Sequence, residues 1–452
     1  MKRITFLIAS VLLLMACNNE IDTDLNLPEI PDSQITLKLP DAQVFTYSTA
    51  TVSECTIDEI WVLEFNGNTL DTAVLINGAN IAYNGQATQM LPQLPFEVEN
   101  GHKIILIANS GRTTFPAGID TTTINTFFPL SASSPNVRDY YLEGEHLPMY
   151  GKIDSWPGTT AYSCEMIRAV AKIQVRLGET FTDLTGSNVW PNGVYYNFWN
   201  HAVEGQIQPS ATVTGIPSSS VHLIPEHLRL LQFDANTSDP KMVYVYEYNS
   251  SMRDNLGNSV SPTVFDVERP YLLFTDGTVY WRLDFYDAYA TSPTYKQFVD
   301  VKRSSHYIFT INRVSSPGYN LDFEAINNPG SNIEYTVEVK DGSSHITSNG
   351  QYAIVSSVDS AYVAAGASGV TIATVRYQLP AEMTGLGAGT VNTMNTDATP
   401  SGSMTVTSPS PTATLTATDA PIIVTTTSTF TEGTITFQLG NITHKIGVKK
   451  QP

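Results

Sequence analysis

A chain of 452 residues, 42% of them apolar, is long enough for roughly two to four packed domains. Its formal charge is −19, with 13 acids against the single base Lys38 between residues 18 and 102, which argues against nucleic acid or anionic lipid as a partner. Tyr and Phe (22 and 18), plentiful Thr and Ser, and Gly and Pro at short intervals predict a mostly β chain.

Met1-Lys2-Arg3 followed by the apolar run Ile4 to Met15 is a charged and then hydrophobic leader, too short to span a bilayer as a stable helix. Leu14-Met15-Ala16-Cys17 reads as a lipobox, making residues 1–17 a lipoprotein signal peptide cut before Cys17. Lipid on that sulfur plus an N-acyl chain exceeds the single chain that holds a membrane only reversibly. The plainer alternative is a secretory signal whose cysteine is incidental. Residues 18–32, acidic and punctuated by Pro28 and Pro31, read as a flexible tether.

Residues 33–166 form the first expected β-sandwich. Ile35, Leu37 and Leu39 alternate with polar residues, Lys38 among them, and stop at Pro40, which predicts a short first strand. Ile57, Ile60, Val62 and Phe65 predict the next, and Ile104 to Ala108 a strand buried on both faces. Asn66-Gly67 and Asn84-Gly85 predict hairpin turns, and 134–141 a turn of helix. Cys55 and Cys164 fall near strand ends. In an exported chain they either pair, closing a loop of about 110 residues worth up to roughly 4.7 kcal/mol, or stay as two free buried thiols.

From Ile167 to Leu177 every odd position is apolar and four of the five even ones are polar, which predicts a strand with one face in a core and one in water. At about 3.3 Å per residue it runs roughly 36 Å, enough to serve two packed units in succession. It opens the second expected sandwich, 167–326. There Met242 to Tyr248 sets valines on one face and tyrosines on the other, while Trp281, Leu283 and Phe285 alternate with a wet Arg282 and Asp284. Such aromatic ladders read as sheet packing.

Residues 332–452, rich in Thr, Ser, Gly and Ala, predict a third sandwich of immunoglobulin type. Its clearest strands are Tyr335 to Val339, Val370 to Val375 and Thr434 to Leu439. Gly440-Asn441 then turns a two-residue hairpin into a last strand, Ile442 to Val448. Gly385 to Pro411 reads as a long loop. The expected fold class is all-β, in tandem sandwiches.

Four of these stretches, in this order, resemble the fimbrillin family, the exported type V pilins and pilin-like lipoproteins of Bacteroidetes. They are Thr56 to Phe65, Arg168-Ala169-Val170-Ala171-Lys172-Ile173-Gln174-Val175, Tyr280 to Tyr286, and Val301 to Ile311. In the last, Ser304-Ser305 stands where the family usually has Asn. The resemblance covers about residues 1 to 325 and implies two transthyretin-like pilin sandwiches, with the third domain an addition. It implies an outer-membrane lipoprotein exposed at the cell surface or on a pilus. Its partners would be other pilin subunits, and a host or bacterial surface ligand. In that family a protease cuts after an Arg just past the first strand, here Ile35, Leu37, Lys38 and Leu39 with their neighbours. Loss of the strand opens a groove that another subunit's C-terminal strand fills by β-strand addition. The expected Arg, near Tyr47 to Thr51, is absent.

No catalytic or metal-binding pattern assembles. The eight histidines are scattered without metal-ligand spacing, and Gly385 to Gly389 lacks the strand-to-helix setting of a phosphate loop. There is no Gly-x-Ser-x-Gly turn, and Asp58 and Glu59 point to opposite faces of a strand. The sequence reads as a non-enzyme without cofactor or metal. A last strand committed to its own hairpin cannot be donated, which points to a pilus tip or accessory subunit acting in adhesion. The missing Arg points instead to a lipid-retaining anchor subunit. A glycan-binding surface lipoprotein is the third reading, poorly served by the few aromatics of the last domain.

Overall fold

The computed structural model describes residues 34–39, 56–78, 81, 88–92, 94–114, 118–131, 146–158, 161–186, 195–199, 204–209, 231–232, 242–247, 271–284, 286–287, 297–298, 301–315, 317–327, 333–340, 344–348, 353–378, 392–409, 418–439 and 442–451. The chain is all-β, in packed sheets. Its first strands are β1 (Gln34–Lys38), β2 (Glu59–Asn66), β3 (Thr69–Asn77), β4 (Thr88–Met90), β5 (Lys103–Ala108), β6 (Pro129–Ser131), β7 (Met149–Ile153) and β8 (Ala161–Arg168), with a short helix α1 (Ile124–Phe127). Seven form one sheet in the order β3-β2-β5-β7-β8-β1-β4.

The apolar run of β5 explains why this sheet is covered on both sides. Ile104 and Leu106 join Ile35, Leu37, Ile60 and Val62 in one core, while Ile105 and Ile107 join Trp61, Leu63 and Phe65 in another. Asn66 pairs with Thr69, so the β2–β3 hairpin turns on Gly67-Asn68, one residue beyond the expected pair. Gly67 takes a φ of +61°, where a side chain would be strained. Asn84-Gly85 and 134–141 lie outside the described residues.

The next strands are β9 (Val170–Thr182), β10 (Tyr195–Trp199), β11 (Glu204–Gln206), β12 (Leu231–Gln232), β13 (Met242–Tyr246), β14 (Tyr271–Thr275), β15 (Tyr280–Asp284), β16 (Tyr286–Asp287), β17 (Gln297–Phe298) and β18 (His306–Val314), followed by the helix α2 (Asp322–Asn327). The strand expected over 167–177 is two strands, broken at Ala169. Ser304 pins the break: its Oγ accepts from the Arg168 N–H at 2.7 Å and its own N–H donates to the Val170 carbonyl at 2.9 Å. Up to Arg168 the chain belongs to the first sheet; from Val170 it pairs with β13 and, in parallel, with β18.

The expected wet face of this stretch is corrected by the structure, since Arg168, Lys172 and Gln174 are all buried. Period two reports that a strand has two different faces, and long-range packing decides what covers the polar one. Arg282 corrects the same way: it is buried, its guanidinium lies 4.1 Å from the Tyr271 ring centre, and it donates to the Ile326 carbonyl of α2.

The remaining strands are β19 (Ile333–Lys340), β20 (His345–Ser348), β21 (Ala353–Ser356), β22 (Ser360–Val363), β23 (Val370–Gln378), β24 (Asn392–Thr399), β25 (Met404–Ser408), β26 (Ala420–Thr426), β27 (Glu432–Leu439) and β28 (Ile442–Lys450). The loop expected over 385–411 holds β24 and β25; its β-branched threonines suit a pleated surface, and composition alone had hidden them. A nine-stranded sheet, β13-β9-β18-β19-β20-β21-β23-β26-β25, runs straight across the boundary expected between 326 and 332. One face of its first strands packs Ile173, Val175, Phe309, Ile311 and Val337 against Leu272, Phe274, Trp281 and Leu283. Further along, Ile354, Val375, Ile422 and Val424 pack against Phe437 and Ile446 of the four-stranded sheet β22-β28-β27-β24. The first sheet meets the long one through Trp61 and Ile107 against Val170, Tyr244 and Tyr246.

Candidate assembly site

β1 holds an inner position. It runs parallel to β8 over five residues and antiparallel to β4 over three, and the Leu91 N–H adds a bond to the Ile35 carbonyl at 2.9 Å. Alternation puts Ile35, Leu37 and Leu39 fully into the core, and leaves Lys38 exposed opposite Glu165. Burying each of those three aliphatics is worth about 1.5–3 kcal/mol. Withdrawing the strand would bare that core and leave two strands facing an empty slot.

Cys164 sits in the same slot, as a buried free thiol whose pKa is pushed up to about 12, mainly by burial. Cys55 and Cys17 lie outside the described residues.

The other chain end is built differently. β28 lies between β27, which it meets over eight pairs, and β22, which it meets in parallel over four. Gly440-Asn441 lies outside the described residues, but Leu439 pairs with Ile442 across it. Ile442, Ile446 and Val448 are fully buried, and so is His444 between them. Ser356 Oγ donates to the Val358 carbonyl at 2.6 Å, so it accepts from His444 Nε2 at 2.9 Å, which leaves Nδ1 to accept from Thr347 Oγ at 2.8 Å.

His444 belongs to a polar layer that sequence reasoning missed. Directly paired residues share a sheet face, so Lys172, His306, Lys340, His345 and Ser356 form a row across β9, β18, β19, β20 and β21. Beside it Glu338 meets three nitrogens: His345 Nε2 at 2.6 Å, Arg176 Nη2 at 3.3 Å and Lys340 Nζ at 3.5 Å. Burial alone would raise the pKa of Glu338; the His345 hydrogen bond and the surrounding positive charge outweigh it and hold the carboxyl well below its usual range. On its far side Lys340 Nζ lies 3.5 Å from Asp359 Oδ2. Glu338 and Lys340 share a strand face in the sequence pattern; nothing local announces Asp359. Among the described residues no group of His, Cys, Asp and Glu is arranged to hold a metal, and no helix is long and apolar enough to cross a membrane.

The molecule so described is an all-β chain of sandwiches, with one chain-end strand seated in a slot and the other locked inside a sheet. No family model matches it, and no curated protein does. Among solved structures it is similar to the C-terminally truncated tip fimbrial protein Mfa3 of Porphyromonas gingivalis, with 13% identity and a TM-score of 0.41 over 69% of this chain and 100% of that one. It is also similar to a fimbrilin of Porphyromonas gingivalis (14% identity, TM-score 0.39, 68% and 97% covered) and to a putative cell adhesion protein of Parabacteroides distasonis (14%, 0.41, 69% and 96%).

Proposed function

We propose that this chain is a subunit of a surface pilus, placed at a tip or accessory position, assembled by β-strand addition at its first sheet and acting in adhesion. The inner position of β28 carries the reading. A subunit can accept a neighbour's strand into the β1 slot, yet donating β28 would strip the C-terminal sandwich of a central strand and four buried side chains. Such a subunit ends a fibre. The test is deletion of Ile442 to Pro452. The expected result is a C-terminal sandwich that loses protease resistance while fibres still polymerise beneath the subunit. A truncated protein with that sandwich intact, whose fibres no longer form, would overturn the reading.

One observation favours a lipid-retaining anchor instead: between Cys17 and Lys103 the only basic residue is Lys38, inside β1. An immunoblot of surface-sheared protein separates the two. An anchor keeps the mass of the full lipoprotein, and a processed subunit loses the leading segment.

A further inference from the structure

We propose that Lys340 and Asp359 become joined by an amide bond between their side chains, formed within the folded chain.

The geometry is that of two reactants held in contact. Lys340 Nζ stands 3.5 Å from Asp359 Oδ2 and 3.5 Å from Glu338 Oε1, so one nitrogen touches both carboxylates. A charge-assisted hydrogen bond would draw such atoms to about 2.7–2.9 Å. Here Asp359 Oδ2 is buried and makes no hydrogen bond among the described residues, while Oδ1 accepts from Ser360 Oγ at 3.1 Å. A buried ion pair is stabilising only when its geometry is good. Cγ of Asp359, the carbon to be attacked, is bonded to the oxygen that Lys340 Nζ faces.

The surroundings fit the chemistry. The side chains of Lys340, Asp359 and Glu338 are 8%, 14% and 17% exposed, so little water competes. The backbone is fixed on both sides: Lys340 closes β19, and the Asp359 carbonyl accepts from the Gly447 N–H of β28 at 2.9 Å. His345 and Arg176 anchor Glu338 from behind.

The step balances without a co-reactant. The Lys340 ammonium passes one proton to the Asp359 carboxylate oxygen that it faces. The free amine adds to Asp359 Cγ, forming the C–N bond. A second nitrogen proton passes to the departing oxygen, and the C–O bond breaks. One ammonium and one carboxylate become one neutral amide and one water. The product ties β19 of the long sheet to the residue just before β22 of the facing sheet.

Trypsin gives the readout, because Lys340 is its only cleavage site between Arg313 and Arg376. Full-length protein is reduced, denatured and digested, and the peptides are weighed. The expected product is a single peptide spanning 314–376, uncut at Lys340 and lighter than its sequence by one water, with fragmentation placing the loss between Lys340 and Asp359. Separate peptides 314–340 and 341–376, or the uncut peptide at full mass, would overturn the proposal. Lys340→Arg, checked for native circular dichroism, is expected to give unlinked peptides.

Discussion

Leu37 lies directly opposite Cys164 across the parallel ladder of β1 and β8, and both are buried. The thiol is thus covered by β1. With its pKa raised, it is protonated at neutral pH and unreactive while β1 is seated. In native full-length protein Cys164 should resist maleimide, located by peptide mass. Leu37→Ala should cost about 2–5 kcal/mol in a urea titration and speed the labelling of Cys164. Fast labelling of the unaltered native protein would show that β1 does not cover the thiol.

Arg303 ties three segments together. Its Nη2 meets Glu247 Oε2 at 2.5 Å, and the guanidinium donates to the carbonyls of Gln206 and Ile207, each at 2.8 Å. Arg303→Met leaves Glu247 without this partner and should lower stability by about 3–5 kcal/mol, read as a drop in the urea midpoint at unchanged slope. A loss below about 1 kcal/mol would mean that the pair is solvated.

Ser304 occupies the left-handed region with φ +53° while its Oγ satisfies the Arg168 N–H. Ser304→Ala keeps the unfavourable backbone and abandons that donor. It should cost about 1–3 kcal/mol by thermal or urea denaturation, against near neutrality at an ordinary surface serine.

The buried histidines set a pH dependence. Burial first, and then positive neighbours, hold His306 and His444 well below the ordinary 6.5. Once unfolded, each takes up a proton near 6.5, so the unfolded chain binds more protons below that pH. Stability is full above about 6.5 and falls as pH drops, by about 1.4 kcal/mol per unit for each histidine. Glu338 runs at lower pH: its contribution is present above its ordinary 4.5 and is lost below it. The thermal midpoint should therefore be level from pH 8 to 7 and decline from 6.5 towards 5. A level profile down to 5 would show that these imidazoles are charged in the folded protein.

How much of this was legible depends on range. β5 announces itself because five successive apolar residues, Ile104 to Ala108, leave no polar face, and the tyrosines and valines of β13 sort onto opposite cores as their alternation requires. The pairing of β18 with β19 was invisible, since period two names a strand but not its neighbour. The same gap hid the burial of Lys172, the break at Ala169, which depends on Ser304 more than 130 residues away, and the meeting of Lys340 with Asp359. Of the assembly site, the apolar side of β1 could be read directly. The inner position of β28 needed β22, and no local pattern supplies that.

The eight-position ladder between β18 and β19 also fixes how the C-terminal sandwich is presented. A module on a flexible linker sweeps a volume and meets a target in many orientations, at the cost of a diluted effective concentration. Here a shared sheet replaces the linker, so the last sandwich turns only when the body behind it turns. Whatever it meets must be approached along the axis that the whole subunit sets, and any load returns through backbone hydrogen bonds rather than through a slack tether.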